Sequence, residues 1–341
     1  MDKSRHITAV EITNFKRFKS FEMSDLAQFN LILGDNNTGK TSVLEALLFT
    51  DNAYQTCDNL LRALEYRHLL TRFTYGHLAL YRNVEITPVD GVYDIVVRYR
   101  SSDGSTTMQM RYDTNRLELE YNYPGVTTAN EKTRAQSIKE FPFHPSLKFP
   151  FIPFYRGHDE DLTRFYGELQ KDRQLKNSFV TNLKILIPDI ENIEPSYQFE
   201  IPHLIVYQRN LNQTLPLAFF GDGVLKLFRL LAEIIINAGG RLMIDEIDAG
   251  IHFSRFKDFW KVVLATAYDN NVQLFMTTHN EECIRYFVDV VESSDIKNIR
   301  ESSRSISLVE LPDKSVKAYT YPFENLAANV SLGNDVRGVT R

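Results

Sequence analysis

The chain opens on β-type patterning. Ile7-Thr8-Ala9-Val10-Glu11-Ile12 is rich in strand formers, and a basic, aromatic turn from Asn14 to Phe21 separates it from a second strand-like run, Phe29-Asn30-Leu31-Ile32-Leu33. That run enters a segment bounded by glycines, Gly34 and Gly39, and from Ser42 to Leu48 apolar positions recur at helical spacing. The middle of the chain is mixed. It reads as helix over Asp58–Leu70 and as strand over Tyr93–Tyr99 and Thr107–Tyr112. Between Phe141 and Tyr155 four prolines stand among aromatics, which forbids helix and predicts a buried edge strand with its turns rather than a proline-rich ligand. Helical spacing returns over Asp159–Leu186.

The last third is again regular. Gly223 opens an apolar helix, Val224 to Ile235, which ends at Gly239-Gly240. A buried strand follows at Arg241–Ile244, then a helix at Ser254–Tyr268 and a strand at Val272–Met276. Two further strands, Ser305–Leu311 and Val316–Tyr321, predict an antiparallel edge. Strands alternating with helices predict a parallel sheet whose strand ends frame a ligand site. The expected organisation is an α/β unit split between residues 1–50 and 215–341, interrupted by an inserted α+β lobe at 51–214. No heptad pattern runs beyond a few turns, and no repeat is visible.

Composition narrows the function classes. With 39 basic and 44 acidic residues the net charge is −5, which excludes a strongly cationic nucleic-acid binder on bulk charge while leaving a local basic patch open. Two cysteines, Cys57 and Cys283, are too few for a disulfide framework and fit a reducing compartment. No apolar run is long enough to cross a membrane, and the first residues lack the core of a secretory signal, so a cytoplasmic location is expected.

Gly34-Asp35-Asn36-Asn37-Thr38-Gly39-Lys40-Thr41 matches the phosphate-binding loop G-x-x-x-x-G-K-[ST] in full, between a strand and a helix as that loop requires. Its glycines let main-chain N–H groups turn toward one anion; Lys40 is placed to bridge β- and γ-phosphates and Thr41 to hold Mg²⁺. The second constellation is Asp245-Glu246 at the end of an apolar strand: Asp245 can orient Mg²⁺ and Glu246 can take a proton from attacking water. A third is His279, at the end of the next strand after Thr277-Thr278, where a donor can sense the γ-phosphate. His158-Asp159-Glu160-Asp161 reads as a solvated helix start rather than a metal site.

In this order the motifs resemble the ABC class of ATPases, and within it the SMC/RecF-like group and the OLD-type ATPases. The resemblance is carried by Ile12-Thr13-Asn14-Phe15-Lys16-Arg17-Phe18, the phosphate loop, and Leu215-Pro216-Leu217 leading to Gly221-Asp222-Gly223. It is completed by Ile244-Asp245-Glu246-Ile247-Asp248-Ala249-Gly250-Ile251-His252 and Thr277-Thr278-His279-Asn280. It covers the two ends of the chain, about half of it, and implies a P-loop NTPase fold, an ABC-type ATPase head with a mixed sheet. It implies that ATP and Mg²⁺ are bound by residues 34–41 and Ser42, with Gly221, Asp222 and Gly223 of a second copy closing over the γ-phosphate.

The family commonly carries a serine just before those glycines. This chain has Ala218-Phe219-Phe220, which puts efficient hydrolysis in doubt, and the glutamine that usually couples the lobes to Mg²⁺ has no assigned position. For the basic turn three readings stay open: Arg17 and its neighbours against the nucleotide, a DNA-facing patch, or a solvated turn.

The expected partners are a second copy of the chain, as a homodimer or higher oligomer, and a separate effector such as a nuclease or toxin. About 60 residues follow His279 without a second double-acid strand, so the attached nuclease domain of many OLD-type proteins is not expected. The expected function is an ATP-dependent dimerisation switch in bacterial anti-phage defence, with no membrane partner. A RecF-like DNA-binding ATPase and a nucleotide-binding scaffold with little turnover are the alternatives.

Overall fold

The computed structural model describes residues 6–50, 52–67, 80–81, 93–112, 117–122, 131–135, 149–153, 159–198 and 202–336. The chain begins with β1 (Ile7–Phe15), β2 (Phe18–Met23), β3 (Phe29–Gly34), α1 (Lys40–Ala46) and α2 (Ala53–Tyr66). Next come β4 (Tyr93–Ser101), β5 (Gly104–Tyr112), β6 (Leu117–Asn122), β7 (Glu131–Ala135) and β8 (Phe151–Ile152). They are followed by α3 (Asp159–Leu169), α4 (Arg173–Leu183), β9 (Ile190–Ser196), β10 (His203–Gln208) and β11 (Leu215–Pro216). The final third holds α5 (Asp222–Ile236), β12 (Arg241–Ile244), α6 (Phe256–Asp269), β13 (Gln273–Thr277), α7 (Glu281–Glu292), β14 (Ser303–Glu310), β15 (Val316–Pro322) and α8 (Phe323–Ser331).

The central sheet has the order β15-β14-β3-β13-β12-β8. β14, β3, β13, β12 and β8 pair in parallel, and β15 returns antiparallel at the edge. All six residues of β3 are buried, as a strand at the middle of a covered parallel sheet requires. Alternation along the strands serves two cores. Leu31, Leu242, Ile244, Leu274 and Met276 face a core built with α3 to α8, while Ile32, Met243, Phe275, Ile306 and Leu308 face one built with α1, α2 and the second sheet.

That second sheet is antiparallel, in the order β2-β1-β4-β5-β6-β7. The middle third of the chain thus contributes to both layers: β4 pairs with β1, and β8 pairs with β12 at the edge of the central sheet. Phe165, Tyr166 and Phe179 of α3 and α4 pack with Phe228 of α5 in the first core. The proline-rich run is visible as Phe149–Pro153, whose strand is an edge, as its prolines predict. Residues 141–148 and 154–158, which include His158, lie outside the described residues, as do Arg67's successors up to Leu70.

Among the described residues no helix is long and apolar enough to cross a membrane, and no group of three His, Cys, Asp or Glu is arranged to hold a metal ion. Cys57 and Cys283 are free and buried, and burial pushes both thiols up, away from reactivity.

Phe228 is fully buried and meets Phe179 edge-on at 4.8 Å between ring centres. Phe228→Ala is expected to cost about 3–5 kcal/mol of stability. Urea unfolding checks this, and a loss under about 1 kcal/mol would show that α5 does not depend on the α3–α4 layer.

Candidate functional site

The site forms where β3, β12 and β13 end side by side, with Ile244 opposite Met276 and Thr277 opposite Ile32. Parallel strands bring their C-terminal ends to one edge, which is why residues far apart in sequence meet there.

The phosphate loop leaves β3 at Gly34, whose φ of 149° suits glycine; a Cβ there would stand 2.8 Å from the Leu308 carbonyl oxygen of β14. Gly39, at φ 98°, begins α1, and a Cβ there would meet Arg17 Cδ and Phe18 Cζ at 2.9 Å. The Thr38 hydroxyl donates to the Asp35 carbonyl at 2.9 Å, closing the loop on itself. Lys40 Nζ donates to the Gly34 and Asp35 carbonyls at 2.7 and 2.9 Å, so its ammonium lies across the loop. Burial pushes the Lys40 pKa down, opposed by the charges of Asp245, Glu246 and Asp35.

Asp245 is buried and used on both oxygens. Oδ2 accepts from the Thr41 hydroxyl at 2.9 Å and Oδ1 from the Thr277 hydroxyl at 2.7 Å. Glu246 follows at φ 45°, a left-handed conformation that non-glycine residues adopt at a cost, and its N–H donates to Thr277 Oγ1 at 2.8 Å. Its carboxylate Oε1 lies 3.9 Å from Nδ1 of His279, and both side chains are about half exposed. Asp248 accepts from the Thr278 hydroxyl at 2.7 Å, and the Asn280 side chain caps α7 by accepting from the Glu282 and Cys283 N–H groups. Lys40, Thr41, Asp245, Glu246 and His279 are thus assembled at one edge.

Gly221, Asp222 and Gly223 form the start of α5, with Gly221 at φ 85°. A Cβ on Gly223 would stand 2.8 Å from the Gly250 carbonyl oxygen, so this turn packs on the loop that follows the paired acids. In the run Ala218-Phe219-Phe220 ahead of these glycines, which holds no serine, Phe219 is 75% exposed.

The basic turn divides its labour. Arg17 donates to the Asn37 carbonyl of the phosphate loop and pairs with Glu310 of β14. Lys16 turns away: it pairs with the buried carboxylate of Glu45 on α1 and lies over the Tyr81 ring at 4.6 Å. Arg17 therefore touches the loop, whereas Lys16 anchors the turn.

Three residues here carry contacts that the sequence pattern does not announce. Thr277 and Thr278 looked like a strand end, and their hydroxyls before His279 were the available signal. Lys226 is a lysine in the apolar helix α5, buried, donating to the Pro153 carbonyl at 3.2 Å and reaching the Glu246 carbonyl at 3.5 Å. A buried cation inside a hydrophobic helix was the sign. Burial, helped by Arg229, pushes its pKa down to about 8 despite the neighbouring acids.

Thr41 and Asp245 present hard oxygen donors 2.9 Å apart, which suits a small divalent cation that keeps several waters. The glycine cradle, too tight for a Cβ at Gly34 or Gly39, suits close approach of a phosphate to main-chain N–H groups.

Gly34→Ala is expected to lower nucleotide affinity at least tenfold (about 1.4 kcal/mol) by forcing the loop off Leu308, read by titration with a fluorescent ATP analogue. Lys226 binds a proton more weakly folded than unfolded, so between pH 8 and about 10.5 the unfolded chain holds more protons and stability rises with pH. Relative to Lys226→Met, the wild type should gain up to about 3 kcal/mol across that window, measured by urea unfolding at pH 7.5 and 10.

Comparisons with known proteins bear on the family and the fold. Residues 29–285 match the family described as AAA domain, putative AbiEii toxin, Type IV TA system. An ATP/GTP phosphatase of Helicobacter pylori is 23% identical, with 94% of this chain and 96% of that protein covered. The Septu protein PtuA of Bacillus mycoides is 22% identical over 84% of this chain, which spans 40% of that longer protein. Among solved structures, an SMC head bound to the C-winged helix domain of ScpA superposes with a TM-score of 0.59 at 12% identity, covering 94% of this chain and 99% of that one. An SMC head with an extended coiled coil, from Pyrococcus furiosus, gives 0.57 at 11% identity, covering 96% and 99%. By sequence this chain belongs to that AAA-domain family, and its fold is that of an SMC head.

Proposed function

We propose that this chain hydrolyses ATP and uses ATP-dependent dimerisation as a switch on a separately encoded effector, in a bacterial anti-phage defence system. The observation that carries the chemistry is the hydrogen bond between Thr41 and Asp245, which joins the phosphate loop to the acid-bearing strand across 204 positions. The PtuA relative and the family's description as a putative toxin of a toxin–antitoxin system support the defence setting. The phosphatase relative supports nucleotide hydrolysis.

In this reading the main-chain N–H groups of residues 34–41, with Ser42, cradle the phosphates and Lys40 swings from the Gly34 and Asp35 carbonyls to the β- and γ-phosphates. Arg17, held at the loop by the Asn37 carbonyl, flanks the same anion. Thr41 and Asp245 would hold Mg²⁺, which when bound would neutralise charge on the phosphate oxygens. Glu246 takes the proton of the attacking water and His279 donates to the γ-phosphate; positioning and electrostatics supply the rate. Gly221, Asp222 and Gly223 of a second copy close the site, with their N–H groups and the α5 dipole directed at the anion.

A scaffold with little turnover is favoured by one feature, the run Ala218-Phe219-Phe220 without a serine ahead of Gly221. Both readings are separated by one variant. Glu246→Gln cannot accept the proton and is expected to cut turnover at least ~100-fold while ATP affinity and ATP-induced dimers, seen by light scattering, persist. Single-turnover hydrolysis near the wild-type rate in that variant would remove Glu246 as the base.

A further inference from the structure

Thr277 is the last residue of β13 and is completely buried. Its hydroxyl is used in both directions: the proton goes to Asp245 Oδ1 at 2.7 Å, and the oxygen accepts the Glu246 N–H at 2.8 Å. A hydroxyl has one proton to give, so this pattern fixes its rotor, and with it the rotation of the Asp245 carboxylate. The other oxygen of that carboxylate faces Thr41, giving a continuous chain from Thr41 through Asp245 and Thr277 to the peptide of Glu246. Glu246 also needs holding, because its φ of 45° is one that a residue with a Cβ abandons unless its surroundings impose it. The next peptide is pinned by the same residue, with the Ile247 N–H donating to the Thr277 carbonyl at 2.9 Å.

We propose that Thr277 is a positioning residue for hydrolysis: one buried hydroxyl orients the metal-binding carboxylate of Asp245 and clamps the strained peptide that aims the Glu246 side chain. This rests on the hydrolytic reading of Asp245 and Glu246 given above. It also places the clamp two residues before His279, whose Nδ1 lies 3.9 Å from the Glu246 carboxylate. A shift of the β13 end therefore moves the histidine and the base together. Isosteric loss of the hydroxyl leaves Asp245 Oδ1 and the Glu246 N–H without the partner that the fully buried Thr277 side chain gives them.

The test uses the full chain and compares Thr277→Val, Thr277→Ser, Thr277→Cys and Glu246→Gln. Steady-state ATP hydrolysis, binding of a fluorescent ATP analogue, the Mg²⁺ concentration for half-maximal rate and thermal unfolding are measured for each. Thr277→Val is expected to lose about 10–100-fold in kcat, with KM changed less than about threefold and the Mg²⁺ requirement raised. Thr277→Ser, which keeps the hydroxyl, should stay within about threefold of the wild type.

A Thr277→Val rate within about twofold of the wild type, or a Thr277→Ser variant as slow as Thr277→Val, would overturn the assignment. If Thr277→Val does not fold, the Ser and Cys variants decide: a weak thiol donor should be at least about tenfold slower than the hydroxyl, and equal rates overturn the proposal. Glu246→Gln tells the two levels apart. If it hydrolyses like the wild type, the hydrolytic reading and this inference fall together; if it is inactive while Thr277→Val is normal, the inference alone falls.

Discussion

The Asp245 carboxylate accepts a hydroxyl from Thr41 on one oxygen and from Thr277 on the other, and it does so beneath the surface, where an unmatched carboxylate oxygen is costly. Those two bonds tie together the start of α1, the end of β12 and the end of β13. One helix start and two strand ends are thereby held in one arrangement, and the loop carrying Glu246 and Asp248 hangs from it. The parallel sheet sets the approximate positions, while the shared carboxylate sets the local ones.

Around this junction backbone or side-chain atoms close directly on glycines. Leu308 of β14 closes on Gly34, Arg17 and Phe18 close on Gly39, and Gly250 closes on Gly223. Each contact leaves no room for a Cβ, so the glycines are as much packing residues as phosphate binders. The turn that brings Arg17 and Phe18 to Gly39 is itself fastened by Lys16 to Glu45, a buried carboxylate that also has Arg67 at 2.9 Å. A buried pair of this kind adds little net stability but penalises alternative positions of the turn, since losing one partner strands the other charge. The antiparallel sheet is thereby coupled to the phosphate loop.

Lys226 extends the same logic to α5. The helix that begins at Gly221 reaches the Glu246 carbonyl and the end of β8 through one buried ammonium. The first turns of α5 are thus in contact with the main chain of the proposed base. This gives the structure a short route between the turn proposed to meet a second copy and the carboxylate proposed to act on water.

Much of the site was legible because its parts are local. Gly34 to Thr41 are consecutive, so their conformation follows from glycine positions and a flanking strand and helix, and the apolar runs before Asp245 and His279 mark strand ends by themselves. The strands at 7–12, 29–33, 241–244 and 272–276 were likewise readable from apolar spacing. In the middle third the strand spacing of β4, β5 and β8 is readable but the sheets they join are not, because β4 pairs with β1 and β8 with β12, partners more than 80 positions away. The contacts of Thr277, Thr278 and Lys226 are not legible in the sequence for a related reason, since a hydroxyl or an ammonium acquires meaning only from what it touches. The sequence alone determined the phosphate loop, the paired acids and the histidine, all of them local patterns. Only the tertiary structure decided that Thr41 meets Asp245, that Thr277 holds both acids, and that Gly223 rests on Gly250. Those contacts depend on strand order and parallel register, which are properties of the assembled sheet and of no single segment.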